Sequence, residues 1–342
     1  YAELRSTRHG LRLGIYGRKD LDPGIIEAGE IKKPDELSVF LSALFKPLGV
    51  RYCVASLPEE RAYTAMFQLP NVGDPSMLRS AIELELPEHI PLPPSETLFD
   101  FEVIPASDIV SPDAITVDAP AHVDVIAYAF PRSLAEAYLG VFLGAGLNPI
   151  AFELETQALA RSLLPDAANA PTMIVDFGKT RTTFVIVVGK LARFTSTVSV
   201  AGESLERSLA KTLRISLPEA ETLKKERGLI RDQKNEAAFN AMFPIVSAVA
   251  DEIERHILFW NTHAEHMHQS TPTISEVILC GGDANLIGFR RYLAEKLRLS
   301  VVFGNTWMNV APFDEHIPEI PFNESLGFAA AIGLALRAVT GE

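Results

Sequence analysis

The sequence predicts an α/β protein of two larger lobes carrying a small α+β insertion. Three observations lead to that prediction. Pro171–Gly189 reads as strand, tight turn, strand: the apolar run Met173–Val175 ends at Asp176-Phe177-Gly178, and the β-branched run Phe184–Val188 follows before Gly189-Lys190. Leu279-Cys280-Gly281-Gly282-Asp283 reads as a strand that turns on two glycines into a helix. Residues 51–130 differ in texture from both flanks, with short strands, one helix and prolines at Pro87, Pro91, Pro93 and Pro94.

In chain order, Tyr1–Leu4 and Leu11–Ile15 are expected strands around a turn, and Asp22-Pro23-Gly24 is a second turn. Pro34-Asp35-Glu36 opens a helix whose stripe is Leu37, Phe40, Leu41, Leu44 and Phe45. Tyr52–Leu57 and Ala62–Leu69 read as strands around Pro58-Glu59-Glu60. Pro75–Leu86 reads as a helix that Pro87 ends. Phe99–Ile104 and His122–Phe130 are strands on either side of an acidic loop, Ser107–Pro120. Pro131–Ala145 is a helix stopped by Gly146, Ile150–Glu153 a strand and Glu155–Leu164 a helix. After the Asp176 hairpin come a strand at Arg193–Val200 and helices at Ser204–Leu213 and Leu217–Lys225. A long helix, Glu236–His263, has Pro244 as the expected point of any kink. A strand at Glu276–Cys280, a helix at Ile287–Leu297, a strand at Val301–Phe303 and a helix at Glu324–Arg337 close the chain.

Composition narrows the function. At 342 residues, 47% apolar and 22% charged, the chain suits a globular protein of about two domains. A formal net charge of −13 argues against a broad nucleic-acid footprint and against direct binding to an anionic membrane. Cys53 and Cys280 lie in apolar strand-like runs and read as buried free thiols of a reducing compartment. No run of about 18 apolar residues and no opening signal peptide is present, so the expected location is cytoplasmic, without membrane insertion.

The chemistry concentrates at the turns. An acid at a strand end, then Gly178, Thr182 and Thr183, suits a hydrated Mg²⁺ and phosphate oxygens; an ordinary β-hairpin gives the same pattern. Glu155 sits at a helix start, where the dipole alone favours an acid. Glu221 and Lys224 share one helix face and could also be a surface pair. His256, His263, His266 and His268 invite a metal, but no carboxylate or thiol at ligand spacing joins them, and a polar helix end is the simpler account. Trp260, Phe239 and Phe243 read as core.

Four pieces in compatible order resemble the actin-like ATPase superfamily: the helix start Glu155-Thr156-Gln157, the Asp176–Thr183 hairpin, Ala201-Gly202-Glu203 with Glu221-Thr222-Leu223-Lys224, and Cys280-Gly281-Gly282-Asp283-Ala284-Asn285. Within it the chain is most similar to the PilM family of type IV pilus assembly. Ala55-Ser56-Leu57-Pro58 with Phe67-Gln68-Leu69-Pro70, Ala81–Glu85 with His89-Ile90-Pro91-Leu92, Asp100-Phe101, and Gly333–Arg337 carry that resemblance. It implies an actin-like (ribonuclease H-like) two-lobed fold. Residues 1–50 and 131–170 would form the first lobe, 51–130 the inserted α+β subdomain, and 171–342 the second lobe with its closing helix. The family's first strand and phosphate turn would fall before Tyr1, with Tyr1–Leu4 ending the second strand. Departures are Ala201 where a glycine is usual, Asn285 where a stacking residue is usual, and a cationic turn with Lys179 and Arg181.

The resemblance implies ATP and Mg²⁺ as cofactors and at most a weak ATPase. Asp176 would hold Mg²⁺ through water, and Gly178, Thr182, Thr183 and Gly202 would face phosphates. Glu155 would hold a metal-bound or attacking water, Glu221 and Lys224 would reach ribose and adenine, and Gly281, Gly282, Asp283 and Asn285 would form the nucleoside turn. It further implies an adapter peripheral to the inner membrane that binds the N-terminal peptide of a PilN-like membrane protein and allows homo-oligomers and contact with pilus assembly ATPases. The peptide groove would lie between the insertion and the body, with Phe67, Leu69, Leu86, Ile90 and Leu92 as candidate walls. The chain shows no amphipathic helix after Arg337, which favours recruitment through a partner. Three alternatives stay open on the same fold: an FtsA-like filament former, a small-molecule kinase, and an adapter that has lost ATP binding.

Overall fold

The computed structural model describes residues 1–8, 10–105, 122–165, 170–263, 273–311 and 316–341. The acidic loop 107–120 and His266 and His268 lie outside the described residues, as does the side chain of His263. The chain begins with an antiparallel hairpin, β1 (Ala2–Thr7) and β2 (Gly10–Tyr16), then the short pair β3 (Ile26–Glu27) and β4 (Glu30–Ile31). Helix α1 (Pro34–Phe45) follows, with Pro34 in its first turn and Asp35 and Glu36 at its positive end. Strand β5 (Tyr52–Leu57) leads into the insertion.

The insertion is one sheet and one helix. Strands β6 (Tyr63–Pro70), β7 (Thr97–Val103) and β8 (His122–Pro131) pair antiparallel in the order β6-β8-β7, with α2 (Pro75–His89) on one face. Strand alternation divides the faces. Ala65, Phe67, Leu69, Val125, Ala127 and Ala129 meet Leu78, Ile82 and Leu86 of α2 in a core of their own, with Phe99 and Phe101 packed against it. Ile126 and Tyr128 turn the other way, against Leu154, with Phe130 beside them. Helix α2 continues through Pro87 to His89, beyond its expected end. A proline in the last turn forfeits one intrahelical bond, and the Ile90 N–H still closes on the Leu86 carbonyl at 2.9 Å.

The chain returns through α3 (Arg132–Gly144), β9 (Asn148–Leu154), parallel to β5, and α4 (Glu155–Leu163). A five-stranded mixed sheet follows, built from β10 (Thr172–Phe177), β11 (Thr182–Val188), β12 (Leu191–Val198), β13 (Glu276–Cys280) and β14 (Ser300–Phe303). Its order is β12-β11-β10-β13-β14; β10–β11 and β11–β12 are antiparallel, and β10–β13 and β13–β14 parallel. Every residue of β11 is buried, which is why Phe184–Val188 is an unbroken apolar run rather than an alternating one. One face packs on α5 (Gly202–Leu213), α6 (Leu217–Arg227), α7 (Glu236–His263) and α8 (Phe289–Leu297) through Leu205, Ala220, Val249 and Phe289. The other packs on α4 through Leu159, Ala160 and Leu163. Trp260 is fully buried in the first of these cores. Cys280 is buried, Cys53 half-buried, and both are free thiols.

The closing helix is divided where one helix was expected. Short α9 (Phe322–Ser325) is separated by a tight turn from α10 (Ala329–Thr340). The reason lies at Leu326, whose carbonyl accepts the Gly281 N–H at 2.9 Å and so serves the glycine turn. By length and composition, Phe322–Thr340 is the one helical stretch among the described residues that could cross a membrane. Its α10 part is packed instead, with Ile332, Gly333, Ala335 and Leu336 buried against Leu4 of β1, Trp307 and helix α4. A side chain at Gly333 would drive into the Ala158 carbonyl of α4. Gly333→Val is therefore expected to cost about 2 kcal/mol or more of stability by overpacking, measured from urea unfolding curves against wild type.

Candidate functional site: an interlobe cleft and a peptide-sized groove

Parallel pairing of β10 and β13 ends with Asp176 opposite Cys280, so the turns after both strands leave the same end of the sheet. Backbone hydrogen bonds knit those turns to the start of α5. The Asp283 N–H donates to the Phe177 carbonyl (3.0 Å), the Gly202 N–H to Gly178 (3.0 Å) and the Glu203 N–H to Lys179 (2.7 Å). Gly281 sits at φ +96°, and a Cβ there would collide with the Asp176 carboxylate and the Phe177 carbonyl. A Cβ on Gly202 would collide with the Asp283 carboxylate. The structure thus brings together Asp176, Gly178, Gly202, Gly281, Gly282 and Asp283.

The charges around these turns are paired within the chain. Arg181 reaches across the cleft: its Nη2 donates to both oxygens of Glu155 (2.9 and 2.8 Å) and its Nη1 to Glu60 Oε1 (3.1 Å). All three side chains are half-buried. Lys224 is 3% exposed and donates to Glu206 Oε1 at 2.6 Å and Asp283 Oδ1 at 2.5 Å. Among the described residues, two carboxylates have no such cation within bonding distance, and burial raises their pKa. Burial, then the Glu155 charge, pushes Asp176 up to about 7. Burial, then Glu155, pushes Glu59 up to about 7, although Thr156 Oγ1 donates to it at 3.1 and 3.2 Å.

Other expected site residues point elsewhere. Thr182 Oγ1 donates to the Val200 carbonyl (2.6 Å), and Thr183 Oγ1 shares a hydrogen bond with Thr197 Oγ1 (3.2 Å); both threonines are buried against β12. Glu221 pairs with Lys225 at 2.6 Å on the exposed face of α6, away from Lys224. Asn285 donates to the Asn323 carbonyl. Mg²⁺ is the cation that the sequence resemblance implies for this cleft. These residues do not fit a hydrated divalent cation, because the guanidinium of Arg181 already lies on the Glu155 carboxylate that would hold its water.

Glu59, Glu60 and Glu206 were missed by sequence reasoning. Pro58-Glu59-Glu60 carries only a turn signal, and Glu206 sits beside the apolar stripe of α5 with nothing to mark its burial. The metal reading of the histidines finds a different setting at His256. It packs between the rings of Phe184 and Phe194 (5.1 and 5.0 Å), with Glu252 at 3.8 Å, and burial lowers its pKa.

A second concavity of about 570 Å³ lies between the insertion and the body. Leu57, Leu98, Phe130, Ala135, Phe152 and Leu154 give it apolar walls, and Glu102, Gln157, Glu153, Arg161 and Arg337 a polar end. At that end Glu153 is almost fully buried and holds Arg161 at 2.8 and 3.1 Å and Arg337 at 2.7 Å. Gln157 Nε2 donates to Glu102 Oε1 at 3.1 Å, and burial raises the Glu102 pKa. The expected groove walls lie elsewhere: Leu86, Ile90 and Leu92 line a smaller hollow beside α2. Phe67, Leu69, Leu86 and Ile90 are buried core on the α2 face of the sheet, with Leu92 packed beside them. Leu98, Asp100 and Glu102 of β7 and Tyr128 and Phe130 of β8 face the larger groove from the opposite alternation, and Phe99 reaches it from the α2 side.

The five-stranded sheet, its two covering layers and the glycine turns define an actin-like protein. Consistent with that class, MreB5 of Spiroplasma citri in its ADP-bound crystal structure aligns over 96% of this chain and 80% of its own, at 12% identity and a TM-score of 0.53. Residues 1–339 match the type IV pilus assembly protein PilM family, and the chain belongs to that family. A solved PilM-PilN type IV pilus biogenesis complex contains a chain 23% identical, with a TM-score of 0.78 over 99% of this chain and 94% of that one.

The raised acids make stability pH-dependent in a definite direction. Glu59 and Asp176 keep protons in the folded chain that the unfolded chain gives up near pH 4, so this contribution is complete below about pH 4 and is lost as the pH rises through about 7. In Glu59→Gln, which keeps an acceptor for Thr156, the fall in urea midpoint between pH 5 and pH 8 is expected to be smaller than in wild type.

Proposed function

We propose that this chain is an adapter of type IV pilus assembly that binds the extended N-terminal peptide of an inner-membrane partner in the groove between the insertion and the body. The observation that carries this reading is the groove's construction: an apolar trough long enough for a few side chains, ending at buried, hydrogen-bonded charges. Apolar side chains of an extended peptide would fill the trough, and the polar end would fix its register through main-chain or terminal groups. The partner in the solved complex of the similar chain is PilN, and a PilN-like protein is the partner this reading assigns. Recruitment by such a peptide would hold a cytoplasmic adapter at the inner membrane through its partner. Nucleotide enters only as a regulator held at the turns around Gly178, Gly202 and Gly281–Asp283. No hydrolysis step is assigned, since Arg181 stands where the cation would be needed.

The test is fluorescence anisotropy with labelled N-terminal peptides of the cognate inner-membrane partner. Saturable binding is expected, and Ala135→Trp, which fills the trough, is expected to weaken it at least about tenfold. Failure of every cognate peptide to bind the folded wild-type chain would overturn the reading.

A further inference from the structure

We propose that Arg181 takes the place of the divalent cation in the interlobe cleft, clasping its two sides with a guanidinium so that the carboxylates there bind no metal. The inference stands apart from the peptide reading and rests on the cleft alone.

Arg181 comes from the turn between β10 and β11. Glu155 opens α4, and Glu60 belongs to the tight turn after β5. One side chain thus spans elements brought together from three parts of the chain. In the contact with Glu155 a single guanidinium nitrogen, Nη2, lies 2.9 and 2.8 Å from the two carboxylate oxygens, while Nη1 is given to Glu60. The turn beneath is fixed, since the Gly178 N–H donates to the Arg181 carbonyl at 3.1 Å. A hydrated divalent cation would draw on the Glu155 carboxylate that the guanidinium already occupies. Placed a few ångströms from the guanidinium, it would also meet like-charge repulsion in a half-buried setting. Admitting it requires Arg181 to leave, breaking three charge-assisted contacts.

Removing the guanidinium should therefore create a metal site. Mn²⁺ is titrated into the full chain and free Mn²⁺ is read by electron paramagnetic resonance, for wild type, Arg181→Gln and the double variant R181Q/E155Q. Expected are no stoichiometric site in wild type, one site in R181Q at least about tenfold tighter than anything in wild type, and its loss in the double variant. In parallel, Mn²⁺ should raise the melting temperature of R181Q and leave that of wild type unchanged, a rescue that a merely structural arginine would not give. One equivalent of Mn²⁺ bound by wild type and lost in Asp176→Asn would overturn the proposal, as would a folded R181Q that gains no site. If R181Q does not fold, the wild-type and Asp176→Asn titrations decide it alone.

Discussion

The parallel register of β10 with β13 is the constraint on which the rest of the molecule depends. Because Asp176 and Cys280 are paired residues, both strands finish at the same level and their turns emerge side by side. The chain then has two glycine-bearing bends and one helix start to accommodate in a single small volume. It does so with backbone hydrogen bonds between the bends and with glycines at the two positions where a Cβ has no room. Burial of β10 and β11 on both faces makes that register hard to slip. A shift of one residue would exchange the side chains of Met173, Val175 and Phe177, which serve the core under α5 and α7, with Ile174, which serves the core under α4.

Crowding so many turns at one sheet end also gathers acids, and the chain neutralises them in two ways. Glu155 and Glu60 share Arg181, while Glu206 and Asp283 share Lys224. Asp176 and Glu59 are left to protonation. Buried pairs of this kind add little net stability over apolar packing, but breaking one strands its partner at a cost of several kcal/mol. Their effect is therefore mainly on which arrangement is allowed. Lys224 can satisfy both acids only with α5, α6 and the Asp283 turn together.

Much of the fold was legible because its strongest signals are local. Phe184–Val188 could only be a strand buried on both faces, and Leu37 and Ile82 fell on helical stripes that the structure buries. The strand-end acids and paired glycines marked where chemistry would gather. What stayed hidden is set by contacts distant in sequence. Nothing in Thr182-Thr183 says that β12 will take their hydroxyls, and nothing in Lys224 says that Glu206 and Asp283 will enclose it. Phe67 and Tyr128 lie on opposite faces of the insertion's sheet, and only the docking of α2 on one face and of the body on the other decides which of them lines the larger trough.

The close crossing at Gly333 and Ala158 ties α10 to α4 with no side chain between them. Helix α4 bears Glu155 at its first turn and Arg161 six residues on, a separation of about 9 Å along its axis. Glu155 thus touches the clasp between the lobes, while Gln157 and Arg161 of the same helix, with Arg337 of α10, touch the trough between insertion and body. A rod so short and so tightly strapped cannot tilt at one end and stay still at the other. The clasp and the trough therefore share one rigid support, and a displacement of α4 is felt at both.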